Sequence, residues 1–281
     1  MRRPQSRPYL YRYERSLRPC LEPPSAPSRR VIITLGALTP LRWLLAEVVE
    51  LVPETPTVTS IVLDVPGWDG HRPGQHVDVR LTAEDGYQAE RSYSLAAPAN
   101  GERLVLTVEE LEDGEVSPFL TEELRPGDRF ELRGPIGGYF VWDGSTGGPL
   151  HLVAGGSGVV PLMAMLRHRA AAGAGAPATL LYSSRTLADV IYREELDRLA
   201  EADPALTVAH TLTREQPDGW QGYARRIDGE MLAEVFDSPD GDAVAFVCGP
   251  TRFVEVAADG LVGLGYKPGR VRTERFGPTG S

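Results

Sequence analysis

Hydrophobic and polar residues alternate along the first half of the chain. The pattern is clearest at 76–81, where valine and leucine fill every second position between polar residues. A period of two is typical of a strand with one buried face and one wet face. Pairs of turn residues, such as Pro73-Gly74 and Pro126-Gly127, separate the runs. They predict strands at 44–52, 58–65, 76–81, 91–96, 104–108 and 129–132, with one helical insert at 117–124.

The second half of the chain has a different rhythm, in which apolar runs alternate with longer amphipathic stretches. The apolar runs predict strands at 150–154, 179–182, 206–211, 243–247 and 271–276. The stretches between them predict helices at 161–172, 192–200, 230–236 and 252–261. Alternating strands and helices indicate a doubly wound parallel sheet. The expected fold is therefore a six-stranded antiparallel barrel followed by a parallel α/β domain.

Composition divides the chain further. A glycine-rich and serine-containing linker at 143–149 lies between the two rhythms. The first thirty residues hold eight arginines and two glutamates, and their proline density opposes packed structure. We therefore expect a disordered extension at 1–40, a barrel domain at 41–145 and a nucleotide-binding domain at 146–281.

Charge and cysteine content exclude several classes of protein. The chain carries a net charge of −10 although its first thirty residues carry about +6, so the body is acidic and disfavours nucleic acid as a partner. There is neither an apolar run long enough to span a membrane nor the layout of a secretory signal. Two cysteines, Cys20 and Cys248, suit a reducing cytoplasm and are too few to hold an iron–sulfur cluster. The five histidines lack metal-ligand spacing, so no metal site is expected.

A glycine-rich loop follows the first strand of the second half. Glycines at this position let the backbone approach a pyrophosphate, and the free N–H groups at the start of the next helix favour anions. Pro161 stands where the usual dinucleotide fingerprint has a third glycine, so an ordinary tight turn stays an alternative. The loop glycines are Gly155, Gly156 and Gly158.

Arginines follow the next two strands, where the dinucleotide fingerprint expects an acidic residue that binds ribose hydroxyls. Arg185 follows the second strand, and Thr213-Arg214 follow the third, with Arg226 after a short loop. A guanidinium suits a phosphate through paired donors. These residues favour the 2′-phosphate of NADPH over NADH, and solvated surface charges are the alternative.

The tetrad Arg91-Ser92-Tyr93-Ser94 combines a charge for phosphate, an aromatic ring for a flat ligand and hydroxyls for ring heteroatoms. On a strand, Arg91 and Tyr93 share one face while Ser92 and Ser94 share the other. Periodicity alone does not separate this tetrad from a plain barrel strand.

Three more segments, 72–75 (Arg-Pro-Gly-Gln), 134–140 (Gly-Pro-Ile-Gly-Gly-Tyr-Phe) and 248–250 (Cys-Gly-Pro), accompany the tetrad and the glycine loop. In this order and spacing the motifs resemble the ferredoxin–NADP reductase superfamily, over about 43–276. Five short motifs in one order across two domains identify the superfamily, although no particular member of it.

The resemblance implies roles for the barrel residues. Arg91 would hold the flavin phosphate, Tyr93 would lie against the isoalloxazine ring, and Ser94 would donate toward its N5. Ser92 would also contact the cofactor. A second flavin motif, which would bind the FAD pyrophosphate at a helix start, consists of Gly114, Val116 and Ser117.

The resemblance also implies roles for the second domain. The loop glycines would lie under the pyrophosphate of NADPH, and Cys248, with Gly249 and Pro250, would lie near the nicotinamide. Glu274 and Phe276 match the C-terminal acid–x–aromatic pattern, in which the aromatic ring would shield the flavin. Five residues follow Phe276, which departs from that pattern. Residues that would bind the 2′-phosphate are Arg185, Thr213, Arg214 and Arg226.

The implied protein is a monomeric, FAD-dependent oxidoreductase that transfers hydride from NADPH, or alternatively NADH, to flavin. Its catalytic residues would be Ser94, Cys248, Glu274 and Phe276. The electrons would pass to a separate acceptor protein, such as a ferredoxin, an oxygenase component or a metalloenzyme component. Two other functions stay open: a reductase that uses free flavin as a substrate, and a non-enzymatic flavin redox sensor. Packing roles also stay open for Cys248, as a buried apolar residue, and for Phe276.

Overall fold

A computed structural model describes residues 41–145, 147–173, 175–236 and 242–276. The predicted disordered extension at 1–40 lies outside the described residues. The predicted domain boundary between 145 and 146 stays a prediction, since residue 146 is also outside them.

The first half folds as a six-stranded antiparallel sheet that closes on itself. The strand order is β4-β3-β6-β1-β2-β5, and a bridge between Leu95 and Leu106 connects its two ends. Alternation of buried and exposed positions places the valines of β3 in the core, where they pack with Ile61, Leu63 and Leu132. The strands are β1 (Leu44–Thr55), β2 (Val58–Asp64), β3 (His76–Thr82), β4 (Gln88–Ser94), β5 (Arg103–Glu109) and β6 (Arg129–Ile136).

The second half is a five-stranded parallel sheet in the order β11-β10-β7-β8-β9. Helices cover both faces, so every residue of the central strand β7 is buried. The strands are β7 (Leu150–Gly155), β8 (Ala178–Ser184), β9 (Leu206–Leu212), β10 (Val244–Pro250) and β11 (Val271–Phe276). The helices are α1 (Val159–Ala171), α2 (Arg193–Ala202), α3 (Gly229–Val235) and α4 (Thr251–Gly263). This architecture confirms the predicted fold class.

The structure differs from the predicted elements in local detail. Strand β4 begins at Gln88 rather than at residue 91, because three mainly polar residues pair with the end of β3. The predicted helical insert is a single π turn, Phe119–Glu123. Tyr192, predicted as the first residue of a helix, is instead the left-handed residue before α2. Among the described residues, no helix is long and apolar enough to cross a membrane.

The two halves pack directly on each other. Val58, Ala96, Phe140 and Trp142 of the first half belong to the same buried cluster as α1, β7 and β8. This contact places the carboxyl ends of the parallel strands beside the end of the barrel.

Candidate functional site

Arg91 connects the tetrad to the second predicted flavin motif. Its guanidinium lies 3.2 Å from the carboxylate of Glu115, and both side chains are about half exposed. The hydroxyl of Tyr87 donates to the same carboxylate at 2.9 Å. Because the pair is open to solvent, Arg91 can exchange this carboxylate for a phosphate at small cost.

The other tetrad residues divide between the two faces of β4. Ser92 donates to Asp78 at 2.6 Å on the outer face. Tyr93 packs against the barrel core, and burial raises the pKa of its hydroxyl to about 12, so the ring stays neutral. Ser94 ends the strand and pairs with His76 of β3.

The second predicted flavin motif forms a tight loop after β5. The hydroxyl of Ser117 accepts a hydrogen bond from the N–H of Leu111 at 3.0 Å. A Cβ on Gly114 would lie 2.7 Å from that hydroxyl oxygen, so the loop fits only glycine there. Val116 is fully buried in the barrel core and anchors the loop beside Arg91.

The glycine loop after β7 forms one 3-10 turn before α1 begins. Gly156 has a φ of +55°, and no described atom lies within 4 Å of where its Cβ would stand. A Cβ on Gly158 would lie 2.2 Å from the carbonyl oxygen of Cys248. The loop is thus open to a ligand at Gly156 and closed against β10 at Gly158. Ser157 donates to Glu109 of the barrel at 2.6 Å.

Cys248 and Glu274 pair across the neighbouring strands β10 and β11. Burial, followed by the charge of Glu274, raises the pKa of the Cys248 thiol well above its ordinary value. This thiol is 3% exposed and is therefore a neutral packing group rather than a nucleophile.

Glu274 faces the barrel. Its Oε1 atom lies 3.9 Å from Nδ1 of His76, and its buried Oε2 atom has no hydrogen-bond partner in the described part of the chain. Burial raises the pKa of Glu274 to about 7. Burial also lowers the pKa of His76, which the charge of Asp78 partly opposes. His76 therefore connects Ser94, its strand partner, to Glu274, and sequence reasoning missed it because a lone histidine carries no spacing signal.

The remaining residues of this edge are small or exposed. A Cβ on Gly249 would lie 3.3 Å from the Cα of Gly155, so these glycines let β10 and β7 end close together. Phe276 pairs with Pro250 at the end of β11, and its side chain is 37% exposed. The shielding role of Phe276 stays a prediction.

The predicted 2′-phosphate residues gather at the ends of β8 and β9. The N–H of Arg214 donates to the carbonyl of Arg185 at 2.9 Å, and the hydroxyl of Thr213 donates to the carbonyl of Ser184. A cavity of about 200 Å³ opens between these two loops. Its lining residues are Thr186, Leu187, Ala188, Glu215 and Pro217.

The arginines in the segments after β8 and β9 differ in their contacts. Arg225 contacts the carboxylates of Asp228, Glu230 and Glu234. The guanidinium groups of Arg185, Arg214 and Arg226 form no ion pair within the described ranges. The second group therefore keeps its donors available for an anionic ligand.

The structure thus brings the predicted residues together in two places. His76 lies between Ser94 and Glu274 where the barrel meets the parallel sheet, and Cys248 pairs with Glu274 there. The arginines lie beyond the carboxyl ends of β8 and β9. The open backbone at Gly156 fits a dinucleotide, and Oε2 of Glu274, which lacks a hydrogen-bond partner among the described residues, fits a flat polar ring. Within the described residues no cluster of His, Cys, Asp and Glu could hold a metal ion.

Comparison with known proteins agrees with the order of the two domains. Residues 56–141 match the model of the oxidoreductase FAD-binding domain, and residues 152–259 match that of the oxidoreductase NAD-binding domain. Ferredoxin–NADP reductase B of Sorangium cellulosum is 35% identical over 208 residues, which cover 72% of this chain and 84% of that protein.

Two further relatives differ in how much of their own length the match covers. The reductase component of propane 2-monooxygenase from Mycolicibacterium goodii is 28% identical over 79% of this chain, and the match spans only 64% of that protein. The FAD/NAD-binding domain of nitric oxide dioxygenase from Vibrio cholerae superposes with a TM-score of 0.75 at 27% identity. That superposition covers 84% of this chain and 99% of the domain.

The family models, the identity to a ferredoxin–NADP reductase and the order of the two sheets confirm the resemblance seen in the sequence motifs. The chain belongs to the ferredoxin–NADP reductase superfamily of oxidoreductases, with an FAD-binding domain followed by an NAD-binding domain.

Proposed function

We propose that this protein takes hydride from NADPH onto bound FAD and delivers the electrons to a separate acceptor protein. The observation that carries the proposal is the convergence of Ser94, His76, Glu274 and Cys248 where the two domains meet. When bound, FAD supplies the hydride-accepting ring and releases electrons to the acceptor. The protein supplies distance, angle and electrostatics.

Each proposed role follows from the state of the side chain. Arg91 is exposed, and its contacts with the carboxylate of Glu115 and the carbonyl of Glu90 lie at the surface, so it is available to bind the flavin phosphate. Ser94 would donate toward the flavin ring, and Tyr93, which is neutral because its pKa is raised, would offer a stacking surface. Cys248 is buried and neutral and would therefore limit the space beside the nicotinamide.

Glu274 would hold a proton near the reacting rings. Since its pKa is about 7, both the carboxylate and the carboxylic acid are populated near neutral pH. Its Oε2, which has no hydrogen-bond partner in the described part of the chain, is the oxygen available to a ligand. Nδ1 of His76 lies 3.9 Å from Oε1 of Glu274, and His76 is the strand partner of Ser94, so it lies between these two residues.

The preference for NADPH is part of the proposal. Its support is the set of guanidinium groups, Arg185, Arg214 and Arg226, that the described carboxylates leave unpaired. Replacing Arg214 with Ala is expected to raise the Michaelis constant for NADPH about tenfold or more and to leave that for NADH nearly unchanged. Arg198→Ala, an exposed arginine on α2, is the matched control. Equal changes for both nucleotides would show that the 2′-phosphate assignment is wrong.

The acceptor is proposed from the named relatives, one a ferredoxin–NADP reductase and one the reductase component of a monooxygenase. With two cysteines in its sequence, the chain has no four-thiolate cluster of its own, so a ferredoxin, an oxygenase component or a metalloenzyme component would receive the electrons. The small cysteine number also supports the proposed cytoplasmic location.

Anaerobic mixing tests the proposal directly. Purified protein is expected to carry stoichiometric FAD, to lose the visible absorbance of the oxidised flavin on addition of NADPH, and to turn over with ferricyanide. Colourless protein that reduces added riboflavin would instead establish a free-flavin reductase. Bound FAD that neither NADPH nor NADH bleaches would establish a non-enzymatic flavoprotein.

A further inference from the structure

Tyr192 has an unusual backbone conformation. With a φ of 59° and a ψ of 24°, it is the one non-glycine residue with positive φ among the described residues. Such a conformation is disfavoured for a bulky side chain, so the surrounding contacts must hold it. The residue precedes α2, and its side chain is 3% exposed.

The hydroxyl of Tyr192 begins a chain of hydrogen bonds that crosses into the barrel. It donates to the hydroxyl of Thr107 on β5. Thr107 lies 2.8 Å from the hydroxyl of Ser60 on β2, which donates to the carboxylate of Glu54 at 2.6 Å. Because a carboxylate only accepts, the direction of the whole chain is fixed from Tyr192 to Glu54. Thr107 and Ser60 are buried, so each hydroxyl needs these partners.

Arg167 forms a second connection beside the first. Its guanidinium lies 4.8 Å above the ring of Tyr192 and makes two hydrogen bonds, of 2.8 and 2.6 Å, to Glu195 of α2. Its remaining nitrogen donates to the carbonyl of Ala96 in the barrel at 2.7 Å. A bidentate, partly buried guanidinium with three different contacts has one orientation only.

These contacts join the elements that carry the two halves of the candidate site. Ala96 lies two residues beyond Ser94, and Arg167 lies on α1, which begins directly after the glycine loop. The connection therefore fixes the distance between the tetrad strand and the nucleotide loop.

We propose that Tyr192 and Arg167 are positioning residues that hold the NAD-binding domain on the barrel at the spacing that hydride transfer requires. Neither residue lies among those assigned to the cofactors. The inference rests on the proposed function, since it concerns the geometry of that same reaction. Reacting atoms must approach within about 3–3.5 Å, and an error of about 1 Å can cost a hundredfold in rate.

Tyr192→Phe tests the proposal because it removes one hydroxyl and keeps the ring under Arg167. Tyr182→Phe is the matched control, since the buried hydroxyl of Tyr182 accepts from the N–H of Ile191 within the NAD-binding domain. On the barrel side, Thr107→Val removes the acceptor and Thr107→Ser retains it.

The rate of flavin reduction at saturating nucleotide is expected to fall about tenfold in Tyr192→Phe and in Thr107→Val. The nucleotide dissociation constant should change by less than about twofold, because no nucleotide contact is removed. Tyr182→Phe and Thr107→Ser should keep the wild-type rate. The double variant Tyr192→Phe/Thr107→Val should lose no more than either single variant, as expected for two residues of one hydrogen bond.

Hydrogen exchange gives a readout independent of turnover. In the full chain, Tyr192→Phe should increase exchange in peptides of both β5 and α2, whereas Tyr182→Phe should increase it only in the NAD-binding domain. Equal rates in Tyr192→Phe and Tyr182→Phe, with unchanged exchange in β5, would overturn the proposal. Failure of the wild-type protein to oxidise either nucleotide would instead remove the proposed function, and the exchange result would still decide whether the domains are fixed this way.

Discussion

The strands of the two domains differ in how much of their surface is exposed to water, and the two halves of the candidate site differ in the same way. Strand β3 of the barrel alternates between buried and partly exposed positions, whereas every residue of β7 is buried. In the barrel, the candidate ligands are side chains on a wet surface, such as Arg91 with its exposed partner Glu115. In the NAD-binding domain, the candidate ligand-binding groups include backbone N–H groups at the ends of buried strands. The buried strands hold this backbone in position before a ligand binds. The side chains proposed to bind flavin can therefore change partners when a ligand binds, whereas the glycine loop already has its final backbone conformation.

Ion pairs show the same difference. Arg129 and Glu47 on the barrel are each about half exposed. In the NAD-binding domain, Arg169 is 2% exposed and contacts Asp203, while its Nε donates to the carbonyl of Ala176. An exposed pair contributes little because water and salt screen it, whereas a buried guanidinium depends on its partners.

The largest effect is expected from replacing the buried arginine. Arg169→Met should lower the free energy of unfolding by about 3 kcal/mol, because Asp203 and the carbonyl of Ala176 lose their partner. Arg129→Met is the matched control and should stay within about 1 kcal/mol of wild type. Urea unfolding followed by tryptophan fluorescence measures both. Similar losses in the two variants would erase the proposed contrast between the domains.

One added methyl group is expected to displace the glycine loop that follows β7. Gly158→Ala places its Cβ against the carbonyl of Cys248, at a φ that alanine otherwise accepts, so α1 must move away from β10. We expect kcat/KM for the nucleotide to fall about a hundredfold while FAD content is retained. Gly229→Ala, where the Cβ would meet open space, should behave as wild type. A normal kcat/KM in Gly158→Ala would show that the close approach is not required.

Substitutions of Arg91 and of its ion-pair partner Glu115 are expected to have different effects on FAD affinity. Arg91→Ala should weaken FAD binding by about tenfold to a hundredfold, because the proposed charged hydrogen bond to phosphate would be lost. Glu115→Gln should leave affinity unchanged or strengthen it, since the competing carboxylate is removed. Fluorescence titration of the flavin-free protein measures both, with Arg129→Met as an exposed-arginine control. Weaker binding in both variants would mean that the Arg91–Glu115 pair itself builds the site.

Much of this fold follows from hydrophobic patterning, and what does not follow has identifiable reasons. The alternation of β3 and the apolar run of β7 predict the two kinds of sheet, because burial on one face or two dictates those patterns. The pattern does not predict the start of β4, because Gln88 and Glu90 are polar residues at the wet edge of the barrel. It places Tyr192 in a helix, because apolar spacing carries no information on the sign of φ.

The candidate site divides in the same manner. Glycines and the tetrad can be found from sequence since their chemistry is local. The approach of His76 to Glu274 arises only where one end of the barrel packs against β11, so no local pattern predicts it. Likewise, the sequence does not distinguish Arg225, held by three carboxylates, from Arg226 beside it.

Two glutamates, one in each domain, have pKa values shifted in opposite directions, so they affect the pH dependence of stability in opposite ways. Glu131 on the barrel has a pKa held below its ordinary value, first by its hydrogen bond from Arg80, so its stabilising effect is lost as pH falls. Glu274 in the NAD-binding domain has its pKa raised by burial from 4.5 to about 7, so the folded protein binds more protons there than the unfolded chain. Its contribution must therefore become less favourable as pH rises between those two values.

Glu274→Gln should consequently gain stability relative to the wild-type protein as pH rises from 4.5 to 7. We expect the relative gain to be on the order of 2 kcal/mol, since the side chain keeps partial access to water that reduces the full linkage effect. Urea unfolding of the flavin-free protein at several pH values measures the difference between the two proteins. Glu131→Gln, the control, should instead lose stability relative to wild type at neutral pH and recover as the pH falls below 4.5, the ordinary pKa of glutamate. A pH-independent difference for Glu274→Gln would mean that its carboxylate titrates as an ordinary solvated group, and the role proposed for it as a proton-holding group would be wrong.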